Sequence, residues 1–259
     1  MSRPNLMILT ALLLTGSSIA YAYNKDHGPF PPEAKIEQIK LTELKAEPQD
    51  ESKGKAVDQW RFLLPGDNGT QLLVSHEAGL FLAELTKGQT VLLKKTAFSD
   101  FDVFVGPTVY TGDLNQDGVT DFVIYSYSGG CGLASGCCSV CFVLSAGKDY
   151  RVTSVTTFWP DESNFVILNG KPCFVLTAFE RLEKCRQGKS HTFWVYNLLG
   201  FKGDGMKVDN GIHPDFPKII WYTDKPNHAE TTIITDDQKK LLRESSLKNL
   251  FWTATSTPR

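Results

Sequence analysis

The residues best suited to chemistry lie in one stretch. Residues 112–122 read Gly-Asp-Leu-Asn-Gln-Asp-Gly-Val-Thr-Asp-Phe. Side-chain oxygens fall at Asp113, Asn115, Asp117 and Asp121, positions 1, 3, 5 and 9 of a loop. Gly118 stands at position 6, where a sharp turn needs positive φ. Val119 at position 7 offers its backbone carbonyl. Calcium is a hard cation that takes six to eight oxygens at about 2.3–2.6 Å, and alternate oxygen side chains on a tightly wound loop supply such a set. Magnesium, with its smaller octahedron, fits less well. The plainer alternative is a metal-free turn, since Asp, Asn and Gly favour turns in any case. Against it, three carboxylates converging at this spacing repel one another without a cation.

The loop is not an EF-hand. Position 12 would then be a bidentate Glu, and here it is Ile124, inside an apolar run at residues 122–125. The stretch resembles the FG-GAP and VCBS repeats, whose pattern is Asp-x-Asn-x-Asp-Gly-x-x-Asp followed by an apolar strand. The resemblance covers residues 113–121 and the strand after them. It implies calcium held by Asp113, Asn115, Asp117, Val119 and Asp121, on a blade of a β-propeller. Those families repeat the loop, whereas this chain carries it once. Residues 65–69 (Pro-Gly-Asp-Asn-Gly) and 203–205 (Gly-Asp-Gly) are eroded echoes. A single propeller-like blade inside another β-architecture is therefore expected, rather than a regular propeller.

Six cysteines form the second group: Cys131, Cys137, Cys138, Cys141, Cys173 and Cys185. Four fall in a Gly-rich stretch just after the loop. Three chemistries compete for them. Structural disulfides come first if the chain is exported. A redox pair at Cys138-Ser-Val-Cys141 comes second, but that motif belongs at a helix start, and residues 141–144 (Cys-Phe-Val-Leu) read as a strand. A zinc or copper site is third, and no second half of a zinc site with matching spacing exists.

Other signals are weaker. His27, His76, His191, His213 and His228 form no ligand pair. The turns at 66–69 and 202–205 precede no helix, so they are hairpin turns rather than phosphate cradles. Asn68-Gly69-Thr70 fits a glycosylation sequon. Aromatic pairs stand at Phe158-Trp159, Phe193-Trp194 and Trp221-Tyr222. Aromatics in strands are usually core; a carbohydrate platform is the functional alternative.

Export rests on residues 1–22: Arg3, an apolar run over 6–20, and Ala20-Tyr21-Ala22 as a small-residue cleavage site. The run is too short to span a bilayer, which needs about 20 apolar residues. A secreted or periplasmic location follows as an expectation. Removing 22 of 259 residues leaves 237, and the net charge moves from −2 to −3 with the loss of Arg3. Acids outnumber bases, 29 to 27, which disfavours a nucleic-acid partner. An apolar fraction of 41% disfavours a disordered chain.

The elements that must position these residues read as strands. Residues 23–56 are Pro-, Lys- and Glu-rich, a polar arm with at most one short docking element. Residues 57–259 read as a single β-rich domain. Runs at 60–64, 71–75, 79–85, 91–94, 122–127, 139–144, 151–159, 165–168, 173–179, 192–199 and 218–222 are short, apolar and turn-bounded. Asn169-Gly170 wants a type I′ turn, which sets Leu168 opposite Lys171 and Ile167 opposite Pro172. If residues 173–179 pair with 192–199, a direct Cys173–Cys185 bond is disfavoured unless the connecting loop folds back, and one or both cysteines are expected to reach the 131–141 cluster. Thr235 or Asp236 caps a short C-terminal helix. The expected fold is mainly β: an antiparallel meander, partly β-propeller-like. The expected function is an exported calcium-binding module for a protein or carbohydrate ligand, with no membrane span. The competing class is a secreted hydrolase whose acids, such as Asp100, Asp102 and Asp161, assemble in a cleft.

Overall fold

The computed structural model describes residues 30, 34–47, 59–67, 69–99, 106–127, 136–186, 188–203, 205–222, 233–248 and 251–252. The leader at 1–22, Cys131, Asn68, Asp100, Asp102 and Asp204 lie outside them. In chain order the elements are β1 (Ile36–Gln38), β2 (Thr42–Leu44), β3 (Gln59–Leu63), β4 (Thr70–Glu77), β5 (Leu80–Lys87), β6 (Thr90–Ser99), β7 (Thr108–Gly112), β8 (Asp121–Tyr127), β9 (Cys137–Ala146), β10 (Asp149–Phe158), β11 (Phe165–Leu168), β12 (Lys171–Leu182), β13 (His191–Lys202), β14 (Gly205–Val208), β15 (Lys218–Trp221), α1 (Asp236–Ser245) and β16 (Phe251–Trp252). All strand pairs are antiparallel.

Each group of four consecutive strands makes one meander. β3–β6 form the first sheet, β7–β10 the body of the second, and β11–β14 the body of the third. This is the strand order of propeller blades, yet among the described residues the sheets do not close into a ring. They stack as layers instead. Phe122, Ile124, Cys141 and Val143 of the second sheet pack against Leu72, Val74, Phe81 and Leu85 of the first. Val123, Tyr125, Val140, Phe142 and Leu144, on the opposite face, pack against Phe165, Phe174, Leu199 and Phe201 of the third.

Sequence pattern explains this layering. β4 and β5 alternate buried and half-buried residues, because one face of the first sheet meets water. β8 and β9 are apolar almost throughout, because both faces are covered. Phe142 anchors the inner layer, with ring centroids 5.3 Å from Phe174 and 5.8 Å from Phe201.

The N-terminal arm does more than the expected single docking element. β1 pairs with β11, β2 pairs with β7, and Ala46 bridges to Phe62 of β3. One segment thus pairs with all three sheets. Its Ile39 and Leu44 are buried in the two inter-sheet cores.

Local readings hold where the chemistry is local. Asn169 and Gly170 have φ of 52° and 74°, and the hairpin pairs Leu168 with Lys171 and Ile167 with Pro172. Thr235 is the N-cap of α1, in a capping box with Gln238. Among the described residues no helix is long and apolar enough to cross a membrane.

Candidate metal centre

The loop at 113–121 connects β7 to β8, the first two strands of the second sheet. Gly112 precedes it, where a Cβ would lie 2.8 Å from the Lys40 carbonyl of the arm. Leu114 points into the core and is fully buried. Gln116 and Gly118 take positive φ, 60° and 82°, which winds the backbone tightly.

That winding turns N–H groups toward the acids. The two oxygens of Asp113 accept from the N–H groups of Asp117 and Gly118, each at 3.0 Å. Asn115 Oδ1 accepts from Asp117 N–H at 3.1 Å. Asp117 Oδ1 accepts from Val119 N–H at 2.8 Å, and its Oδ2 accepts from the Ser145 hydroxyl at 2.6 Å. Burial raises the Asp117 carboxyl, but Ser145, Val119 N–H and the Asn115 amide outweigh it and hold the pKa below 3.8.

Asp121 differs from its neighbours. It begins β8 beneath the loop and is fully buried. Its Oδ1 accepts from Ser145 N–H at 2.7 Å and its Oδ2 from Leu114 N–H at 2.8 Å. Burial nonetheless pushes its carboxyl up to about 6, because the neutral donors around it, Ser145 first among them, do not replace water around a charge. Among the described residues no Lys or Arg pairs with Asp113, Asp117 or Asp121.

In the turn between β3 and β4 of the first sheet, by contrast, a part-exposed Asp67 has a lysine partner. Asp67 accepts from Lys87 Nζ and from Thr70 Oγ1, at 3.0 and 2.8 Å. The ammonium holds its carboxyl below the usual range. The other echo, between β13 and β14, touches the loop itself: Gly203 carbonyl accepts from Asn115 Nδ2 at 3.0 Å.

The donor set therefore stands on one loop in a hydrogen-bonded arrangement. Among the described residues no three His, Cys, Asp or Glu side chains gather closely enough to hold a metal ion by themselves. The expected mutual repulsion of the acids is met here by N–H donors. An ionised carboxylate has about four lone-pair sites, so Asp113 and Asp117 keep acceptor capacity. The all-oxygen set suits a hard cation. Ser145 escaped sequence reasoning. It lies on β9, 24 residues beyond Asp121, and nothing in its spacing marks it.

The cysteines part company. Cys138, Cys141, Cys173 and Cys185 are buried in four different core clusters. Cys138 and Cys141 lie an odd number of residues apart on β9, so they face opposite sides of the second sheet. All five described cysteines are free thiols, and the expected disulfides are not formed among them. Burial pushes the thiol of Cys173 up to about 12 and raises those of Cys137, Cys138, Cys141 and Cys185.

Of the hydrolase acids, Asp161 caps a 3-10 turn, its Oδ1 accepting from Ser163 N–H at 2.7 Å; Asp100 and Asp102 are outside the described residues. The aromatic pairs split across strand faces. Phe158, Trp194 and Tyr222 gather around Phe179, and Trp159 packs on Phe158 and Trp194, while Phe193 turns to the opposite face beneath α1. No protein-family model, curated protein or solved structure matches the chain.

Proposed function

We propose that this chain is an exported β-rich module that binds calcium at residues 113–121 and serves binding or scaffolding rather than catalysis. Asp113, Asn115, Asp117, the Val119 carbonyl and Asp121 would hold the ion, which supplies positive charge to a carboxylate loop. The observation that carries the reading is the buried Asp121 carboxylate. It lies under three further oxygen-bearing side chains, and no Lys or Arg among the described residues neutralises it. Asp67, a part-exposed acid between β3 and β4, is by contrast paired with Lys87. A bound cation would meet the charge that Asp121 brings into the core and join the loop's acceptors.

Isothermal titration with calcium chloride tests the reading. We expect one ion per chain with Kd in the range of about 10⁻⁴–10⁻³ M, as in other extracellular modules, and loss of binding in Asp113→Ala. A parent protein that binds no calcium at ~10 mM overturns it.

A further inference from the structure

The aromatic cluster at the end of β10 is built in a way that core packing alone does not require. Trp159 has φ of +42°, a left-handed conformation that bulky side chains rarely adopt. Such an outlier persists only where its surroundings enforce it, and it motivates a functional hypothesis. Here Trp159 N–H donates to the Gly136 carbonyl at 2.7 Å. The indole lies directly on Gly136, where an added Cβ would fall 2.1 Å from its ring. The chain thus combines a strained backbone and a side-chain-free niche to hold one tryptophan, and that tryptophan remains 40% exposed.

Its ring meets those of Phe158 and Trp194, and Phe179 and Tyr222 continue the cluster behind these two. Their ring centroids lie 4.3–6.3 Å apart in successive contacts, so the rings fill one another's space. No open box is left for a quaternary ammonium group. What remains is a supported indole surface. Two carboxylates follow on the same turn, Asp161 and Glu162, and no Lys or Arg among the described residues pairs with either. Asp161 spends Oδ1 on its cap and keeps Oδ2 as an acceptor.

We propose that Trp159 is the platform of a carbohydrate-binding site for neutral sugars. The apolar face of a pyranose ring stacks on the indole, and sugar hydroxyls donate to Asp161 and Glu162. The same acids repel uronates and sulfated sugars, which sets the charge class of the ligand. The site is remote in sequence from the calcium loop and does not depend on it.

Tryptophan fluorescence titration with soluble hexaoses (cello-, malto-, xylo- and chitohexaose) and with oligogalacturonate tests this. At least one neutral hexaose should bind, and oligogalacturonate should not. Trp159→Ala should weaken binding on the order of tenfold or more, the scale of removing an aromatic anchor. Trp159→Tyr should keep most of it. Gly136→Ala, which leaves the ligand-facing groups intact but displaces the indole, should weaken it too. Melting curves of each variant check the fold, and chelator should leave sugar binding unchanged. Failure of every neutral hexaose to bind, equal binding of oligogalacturonate, or unchanged affinity in Trp159→Ala overturns the proposal. So does a parent dimer that Trp159→Ala dissociates in sedimentation, which would make a second copy of the chain the occupant.

Discussion

In the presence of chelator, acidification from pH 7 to 4.5 should increase the contribution of one residue, Asp121, to stability. Asp121 is fully buried, and burial holds its carboxyl at about 6 against an ordinary 3.8. Between those values the folded chain binds a proton that the unfolded chain does not. The contribution is therefore fully present below about pH 4 and is lost as pH rises through 6. The gap between 3.8 and 6 corresponds to about 3 kcal/mol, of which about 2 kcal/mol develops between pH 7 and 4.5. For a chain of this size that is a rise of about 4–8 °C in Tm. Groups of the opposite sign act lower. Lysine partners hold Asp67, Glu77 and Asp209 below their ordinary values, and hydrogen bonds do so at Asp117. Their stabilisation is lost as pH falls through about 4.5, and the Asp121 contribution is read as the difference between the parent and Asp121→Asn, in which the other titrating groups cancel. The assay is differential scanning calorimetry of the parent and Asp121→Asn at several pH values. The variant has no charge to bury, but it leaves one N–H without an acceptor, a cost of about 1–3 kcal/mol. At pH 7 the two effects nearly cancel, and toward pH 4.5 the parent should pull ahead. A parent–variant difference that stays constant across this window refutes the reasoning.

Further outcomes follow from other parts of the fold. Asn197 is fully buried and links Ser246 to Asn210 at 3.0 Å each, tying the end of α1 to the third sheet. Asn197→Ala should cost about 1–3 kcal/mol in urea denaturation, by leaving the Asn210 amide donor without its acceptor, while Ser246 keeps its bond to the Arg243 carbonyl. Phe142→Ala, at the centre of the core between the second and third sheets, should cost about 3–5 kcal/mol in the same assay. Asn169→Ala should cost about 1–2 kcal/mol, since it sets a non-glycine without a polar side chain at φ of 52° and loses the bond to the Ile212 carbonyl. Thiol labelling of the native protein should leave Cys138, Cys141 and Cys173 unmodified, and unfolding should expose them as free thiols. Recovery of a disulfide between any two of these three would contradict the placement of their side chains.

The parts legible in sequence are those whose physics is local. The Asn169-Gly170 turn, the helix start at Thr235 or Asp236 and the 165–168 strand depend on a few adjacent residues, and the structure reproduces them, with Thr235 as the cap. β8 and β9 were legible as strands, and their continuous apolar runs also encode coverage on both faces. β1, β2, β7 and β14 were not legible. They are short strands whose membership comes from backbone pairing with distant segments rather than from their own apolar pattern. β6 runs to Ser99, past the expected 91–94, because a register shift against β5 breaks its alternation. At the candidate centre, the loop residues announce themselves by spacing. Ser145 and Gly203 come from β9 and from the neighbouring sheet, so only the folded arrangement brings them in. The cysteines show the converse. Their clustering in sequence suggested bonding, yet strand alternation sends Cys138 and Cys141 to opposite faces.

Calcium at the 113–121 loop is the central claim, and thermal melting with ~10 mM calcium against chelator at pH 7 tests it most directly. With Kd of about 10⁻⁴–10⁻³ M, binding should add about 1.4–2.7 kcal/mol and raise Tm by about 3–10 °C in the parent. Asp117→Ala should show no such rise. A parent Tm that is the same in calcium and in chelator contradicts the account.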